Sequence, residues 1–272
     1  MSTASLREAC RPRVSSSFLV AVAFVAIAAG ASDVRAQAQD SAQQKCLNSL
    51  YKSAAKVGQT QGKANGKCIK ARQAFAVDQL GNADQERTVD ACLTNDPKGS
   101  VAKVVAAVAA TEASRCTAIP PDFGAGSADK LAGAAASQSR AVLRDVFGAN
   151  IQSLTFFKDT YDDKAALSCQ PATVKGASKL YDTLWKEFGK AAKSALAGKS
   201  GPAAMTGAEL QTAVLAALAT NTKITKGATQ LTDAMAKTCG ATTQPLIELF
   251  RGKCMPSAAT TSAQVSACTV DA

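Results

Sequence analysis

The sequence predicts an all-α protein in which two disulfide-clamped antiparallel helical hairpins form a helical bundle. Apolar residues recur at helical spacing, strand-like alternation is absent, and the spacing of the cysteines repeats along the chain. The chain has 272 residues, a net charge of +10 and no histidine. The lack of histidine excludes zinc sites that need imidazole, and Ser-His-Asp or Cys-His catalysis.

Residues 1–36 have the pattern of a Sec-type signal peptide. Three arginines precede an apolar run at positions 18–29, and small residues favour cleavage after Ala36 or Ala38. As a helix this run is about 18 Å long, well short of the ~30 Å hydrocarbon core of a membrane. We therefore expect a periplasmic or extracellular protein with no transmembrane segment after cleavage.

A shift of 123 residues superimposes two parts of the chain without a gap. It places Cys46 on Cys169 and Cys116 on Cys239. Six lysines also fall on lysines, namely Lys52, Lys56, Lys63, Lys67, Lys70 and Lys103 on Lys175, Lys179, Lys186, Lys190, Lys193 and Lys226. We interpret this register as an internal duplication. It predicts hairpin repeat 1 at residues 37–126, a connecting helix and linker at 127–168, and hairpin repeat 2 with a disulfide-closed tail at 169–272.

The cysteines indicate four disulfides, with metal thiolates as the alternative. Eight remain after signal cleavage, an even number in a chain expected in an oxidising compartment. The second repeat lacks counterparts of both Cys68 and Cys92, so these two are expected to be partners. The predicted pairs are Cys46 with Cys116, Cys68 with Cys92, Cys169 with Cys239, and Cys254 with Cys268. The alternative for the tail pairs Cys239 with Cys254.

The first long helix is predicted at about residues 41–80. On a helical wheel its lysines fall within about 60° of one another, opposite its apolar face. Gly58 and Gly62 lie on the flank between the two faces, and Tyr181 and Trp185 occupy the corresponding positions of the second repeat. We expect these aromatic side chains to pack over the glycines and to join the two hairpins.

Cap signals place the other helices. Asp96 and Pro97 read as the N-cap and first residue of a helix toward Cys116, which leaves Cys92 on a separate short turn or helix. Ser127 begins a helix toward Phe147. The remaining signals are Pro171 at the first turn of the second long helix to about Ala197, a capping box from Thr206 to Glu209, and a short helix at 244–250.

Three candidate chemical motifs are weak. The stretch GKS at 198–200 ends like a phosphate-binding loop but lacks the preceding glycine and strand. Asp159, Asp162 and Asp163 lack the closer alternating spacing, the further oxygen ligands and the glycine turn of a calcium loop, so solvated or capping acids are favoured. Tyr161 and Trp185 could line a carbohydrate site, but core positions are favoured. No cofactor, metal or catalytic residue is predicted.

The lysine faces are the most distinctive surface feature. One interpretation is that they are the solvated sides of amphipathic helices. The sharper hypothesis is that they bind anionic polymers of the cell envelope, without sequence-specific recognition of nucleic acid. The candidate residues are Lys52, Lys56, Lys63, Lys67, Lys70, Lys175, Lys179, Lys186, Lys190 and Lys193.

Three local patterns carry a resemblance. The spacing from Cys46 to Cys68, the DPKG stretch at 96–99 and the FRGKC stretch at 250–254 resemble uncharacterised secreted Lys/Ala-rich helical proteins of environmental bacteria. The resemblance implies the helical fold and carries no known activity. We expect a non-enzymatic scaffold or binding module, and the alternative is a hydrolase or transferase with an unrecognised Asp, Glu, Ser or Lys site.

Overall fold

The computed structural model describes residues 37–74, 88–151, 155, 162–242 and 246–252, and within these residues it is helical with no strand. No helix in these ranges is both long and apolar enough to span a bilayer. The helices are α1 (Ser41–Ala74), α2 (Val89–Asn95), α3 (Ser100–Arg115), α4 (Ala128–Phe147), α5 (Lys164–Leu196), α6 (Gly207–Ala219), α7 (Thr222–Cys239) and α8 (Leu246–Leu249).

Helix α1 is the amphipathic helix that the sequence predicts. Its N-terminus is capped by Asp40, whose Oδ1 accepts hydrogen bonds from the backbone N–H groups of Ala42 and Gln43. Its apolar stripe, including Leu47, Leu50 and Tyr51, is almost completely buried. The described helix ends at Ala74, and the predicted extension to residue 80 lies outside the described residues.

Three of the four predicted cysteine pairs stand at disulfide-bonding distance. The S–S distances are 2.05 Å for Cys46–Cys116, 2.02 Å for Cys68–Cys92 and 2.02 Å for Cys169–Cys239. These pairings are the predicted ones, and the pairing of Cys239 with Cys254 is wrong. Cys254 and Cys268 lie outside the described residues, so their mutual pairing stays a prediction.

Each long helix packs antiparallel to a shorter one. In the first pair, the disulfide Cys46–Cys116 and the contact of Ser53 Oγ with Thr111 Oγ1 at 3.1 Å fix α1 against α3. In the second pair, Cys169–Cys239 at one end and a hydrogen bond from Asn221 Nδ2 to Glu187 Oε2 at the other fix α5 against α7. Both pairs are therefore closed by a covalent link.

The core lies where α1, α4 and α5 meet. Tyr51 of α1 and Phe188 of α5 pack edge to face with ring centroids 5.1 Å apart. Tyr181 of α5 donates a hydrogen bond from its hydroxyl to the carbonyl oxygen of Ala135 in α4, at 2.9 Å. The two helix pairs thus share one hydrophobic core.

The expected packing of aromatic side chains over glycine is confirmed at Gly58. A Cβ atom on this residue would lie 2.8 Å from Cε1 of Tyr181 and 3.5 Å from Nε1 of Trp185. Trp185 is 3% exposed, which also confirms its assignment to the core. Gly62 faces Ser178 rather than an aromatic ring.

The predicted start of the second long helix at Pro171 is wrong. Helix α5 begins at Lys164, and Asp163 caps it by accepting a hydrogen bond from Ala166 N at 2.9 Å. Pro171 sits inside the helix, where it lacks the N–H that would bond to the carbonyl of Leu167. Gln73 of α1 replaces that donor, because its Nε2 lies 3.1 Å from Leu167 O.

The predicted start of α3 is also wrong by three residues. The helix begins at Ser100 with Gly99 as its N-cap, while Asp96 adopts a left-handed conformation (φ 42°) at the end of α2. Asp96 still caps α3 from a distance, since its carboxylate accepts hydrogen bonds from three backbone N–H groups at 100–102. The sequence signal named the capping residue but not the helix boundary.

The predicted N-caps of α4 and α6 are confirmed. Ser127 Oγ accepts from Lys130 N at the start of α4, and Thr206 Oγ1 accepts from Glu209 N at the start of α6. Cys92 lies on the separate short helix α2. The chain returns toward Cys239 in two helices, α6 and α7. Asn221 follows the end of α6, and its side chain caps the N-terminus of α7.

Candidate functional site

The ten candidate lysines are all exposed, five on α1 and five on α5. They divide by position along the helices. Three from α1 (Lys63, Lys67, Lys70) and two from α5 (Lys175, Lys179) line a groove between these helices. The other five, Lys52, Lys56, Lys186, Lys190 and Lys193, do not line it.

The groove follows α1 over residues 59–74 and, on the other side, Asp162 and the part of α5 up to Asp182, and has a volume of about 1080 Å³. Lys164 adds a sixth lysine at the start of α5, a residue that the sequence analysis did not select. Asp162 and Asp182 are the acidic residues of its lining. Among the described lining residues, six lysines therefore outnumber two aspartates.

The two long helices run antiparallel past each other. Gln59 Nε2 donates to Asp182 Oδ2 at 3.2 Å near the middle, and the bond from Gln73 to the carbonyl of Leu167 lies at the far end. Between them, Gly62 contacts Ser178 and Gly66 contacts Val174. Each of these four residues is followed in the sequence by a lysine of the groove. Because the helices are antiparallel, Lys63 therefore lies across the groove from Lys179, and Lys67 lies across it from Lys175.

Glycine makes the floor of the groove. A Cβ atom on Gly62 would lie 3.1 Å from Ser178 Oγ, and one on Gly66 would lie 3.9 Å from Val174 Cγ1. Because Gly62 has no side chain, Ser178 can donate a hydrogen bond directly to its carbonyl oxygen at 3.4 Å. At these two positions the floor is therefore helix backbone without a side chain, between two walls of lysine.

Asp182 stands where the groove begins. Burial raises the pKa of its carboxyl group, and this effect outweighs the hydrogen bond from Gln59 and the charges of Lys186 and Lys63, which act in the opposite direction. The carboxylate is thus held by a structural hydrogen bond.

Lys190 differs from the groove lysines because it forms an ion pair within the protein. Its Nζ donates to Glu187 Oε1 at 2.6 Å, and Lys223 lies 3.6 Å from the same oxygen. Burial alone would raise the pKa of Glu187, but the hydrogen bonds from Lys190 and Asn221 and the two lysine charges hold it below its usual range. Lys190 thus serves an ion-pair network between α5 and α7.

The remaining motifs have structural roles. Asp163 caps α5 and Asp162 lines the groove, while Asp159 lies outside the described residues. The GKS stretch is a turn after α5, with Gly198 at a positive φ of 65°. Within the described ranges, no three Cys, Asp or Glu side chains are grouped so that they could hold a metal ion.

No protein family, curated protein or solved structure matches the chain. The assignment of function therefore depends on the geometry of the groove and its lysines.

Proposed function

We propose that this protein is a non-enzymatic binding module of the periplasm or cell exterior that binds anionic envelope polymers in the groove between α1 and α5. One observation carries the proposal. Six lysines from two helices converge on one groove that contains two aspartates. A concave surface lined by one sign of charge concentrates the field and attracts molecules of the opposite sign.

The groove lysines have charge available for a ligand. Within the described part of the chain, Lys63, Lys67, Lys175 and Lys179 make none of the observed ion pairs, in contrast to Lys190. Lysine is a compact, strongly hydrated cation that suits phosphate, sulfate or carboxylate without demanding a fixed geometry. This favours a polymer with repeated anionic groups over a single rigid ligand.

The hydrolase or transferase alternative has weaker support. Ser178 and Asp182 supply a hydroxyl and a carboxylate to the groove lining, but both make structural hydrogen bonds, to Gly62 O and from Gln59 Nε2. A nucleophile needs an adjacent base aimed at it. No such pair is present among the described lining residues.

We also propose that the scaffold arose by duplication of one disulfide-clamped hairpin. Helices α1 and α5 begin at Ser41 and Lys164, which are 123 residues apart, the shift that aligns the two parts of the sequence. The disulfides Cys46–Cys116 and Cys169–Cys239 both span a separation of 70 residues. An experimental structure in which residues 41–116 superimpose on residues 164–239 would test it, and different helix directions would overturn it.

Export is part of the proposal. Its support is the signal-peptide pattern of residues 1–36, which lie outside the described residues, together with three cysteine pairs at bonding distance. Disulfides persist in oxidising compartments such as the periplasm and the cell exterior. N-terminal sequencing of the secreted or periplasmic protein would test it, with Gln37 or Gln39 expected as the first residue.

Retention on immobilised heparin at increasing salt tests the binding function. We expect the wild type to be retained at low salt and released as screening increases. The variant Lys67→Glu/Lys175→Glu should elute at clearly lower salt. The matched control is Lys52→Glu/Lys193→Glu, which makes the same charge change on the same helices outside the groove. Equal elution of both variants would contradict a role for the groove.

A further inference from the structure

The floor of the groove is apolar, which the binding of a purely anionic polymer does not require. Between the lysine walls lie Gly62, Gly66, Ala74, Leu167, Pro171 and Ala172, and most of the exposed lining surface is apolar. Aliphatic stems of lysine add further apolar surface while the ammonium groups remain in water. An apolar floor with cationic rims matches a molecule that is itself amphipathic.

We propose that the groove binds an amphipathic anion, with one extended acyl chain along the floor and a phosphate or carboxylate headgroup among the lysines. This inference rests on the proposed anion-binding function and names the ligand class of the same groove. The apolar chain gains by leaving water in proportion to the area it buries. The headgroup gains from Lys63 and Lys179 at one end of the groove, or from Lys70 and Lys164 toward the other end, depending on the direction in which the chain enters.

The dimensions agree with one chain. The groove follows α1 from Gln59 to Ala74, which corresponds to about 22 Å at the rise of an α-helix. A bilayer core of ~30 Å contains two layers of acyl chains, so one chain spans about 15 Å. The groove therefore has length for one chain and its headgroup.

Glycine keeps the floor of the groove open on the α1 side. At the position 123 residues after Gly62 stands Trp185, which is buried and packs edge to face on Tyr181 and Phe188. A large side chain therefore occupies the position on α5 that corresponds to the bare Gly62 of α1. This difference predicts one ligand for each protein chain.

Calorimetric titration of the full mature chain with lysophosphatidic acid below its micelle concentration tests the inference. The comparison ligands are lysophosphatidylcholine, which has the chain without net charge, and glycerol phosphate, which has the headgroup without the chain. We expect one site for lysophosphatidic acid and binding at least about tenfold weaker for each comparison ligand. Equal affinity for all three, or no binding of lysophosphatidic acid, would overturn the inference.

The substitution Gly66→Leu fills the floor and keeps every lysine. We expect affinity for lysophosphatidic acid to fall about tenfold or more. The control is Gly189→Leu, 123 residues later on α5, where an added Cβ meets no atom within 4 Å and which does not line the groove. Circular dichroism and thermal unfolding check that both variants are folded, and unchanged affinity of a folded Gly66→Leu variant would overturn the inference.

Heparin retention of the same proteins separates this inference from the function on which it rests. If lysophosphatidic acid does not bind while heparin retention still depends on Lys67 and Lys175, the amphipathic ligand is wrong and polyanion binding stands. If the protein neither binds lysophosphatidic acid nor is retained on heparin, both proposals fail. If lysophosphatidic acid binds and heparin does not, the groove is a lipid site and the polymer function is wrong.

Discussion

Gly58 lies directly against the ring of Tyr181, since a Cβ atom on this glycine would be 2.8 Å from Cε1 of the tyrosine. The ring has little freedom to move away. Tyr181 is 2% exposed, and its hydroxyl is fixed to the carbonyl oxygen of Ala135. The missing side chain thus lets α1 and α5 approach, although glycine inside a helix costs about 1 kcal/mol relative to alanine.

We expect Gly58→Ala to lower the free energy of unfolding by about 1 to 2 kcal/mol, because the overpacking cost exceeds the gain in helix propensity. Urea denaturation measures the change. The control is Gly133→Ala in α4, where the new Cβ meets no atom within 4 Å and stability should rise by up to about 1 kcal/mol. Equal stabilisation by both substitutions would show that the two helices do not pack as described.

The contact between Gln73 and Leu167 predicts a coupling with Pro171. Gln73→Leu should cost about 1 kcal/mol in the wild type, because the carbonyl of Leu167 loses its donor. In a Pro171→Ala background the alanine N–H can bond to that carbonyl, so the same substitution should cost less. A double-mutant cycle measures the difference, and full additivity would rule out the replacement of one donor by the other.

The buried carboxylate of Glu187 predicts acid sensitivity. Because its pKa is held below the ordinary value, its contribution to stability is present above that ordinary value, about 4.3, and is lost as the pH falls through the lowered pKa. Glu187→Gln should lower stability at pH 7 by about 1 to 3 kcal/mol and flatten the acid limb of the profile. Glu248→Gln, whose partner Arg251 is exposed, should leave that limb unchanged.

Disulfide removal should follow loop length. Cys169–Cys239 closes a separation of 70 residues and Cys68–Cys92 one of 24. In the chain-entropy description, these bridges contribute about 4 and about 3 kcal/mol. Replacement of each pair by alanine, followed by chemical denaturation, should rank the variants in this order.

Non-reducing peptide mapping of the wild type should also find the predicted Cys254–Cys268 pair.

The sequence contains enough to predict the helices, three cysteine pairs and the contact of Gly58 with aromatic rings. The signals are local or repeated. Helical periodicity defines the faces, and the absence of counterparts for Cys68 and Cys92 makes them partners. The helix boundaries were predicted less well, because Pro171 lies inside α5, where a donor from another helix replaces its missing N–H. A hydrogen bond from a distant residue of the chain cannot be read from the sequence around the proline.

The groove could not be predicted from the sequence in the same way. Wheel geometry places lysines on one face and glycines on the flank of α1, but it does not say which helix lies alongside. The antiparallel register of α5, marked by Gln59 and Asp182, brings two lysine lines to one groove. Lys164 was missed because the predicted helix began at Pro171, which left Lys164 in a connector.

Lysine footprinting tests the central claim, that the groove between α1 and α5 is the anion-binding surface. The full mature chain is acetylated briefly with and without a heparin oligosaccharide, and modification at each lysine is measured by mass spectrometry. We expect protection at Lys63, Lys67, Lys175 and Lys179, with Lys52 and Lys193 equally reactive in both samples. Protection spread evenly over all exposed lysines, or confined to those outside the groove, would contradict the claim.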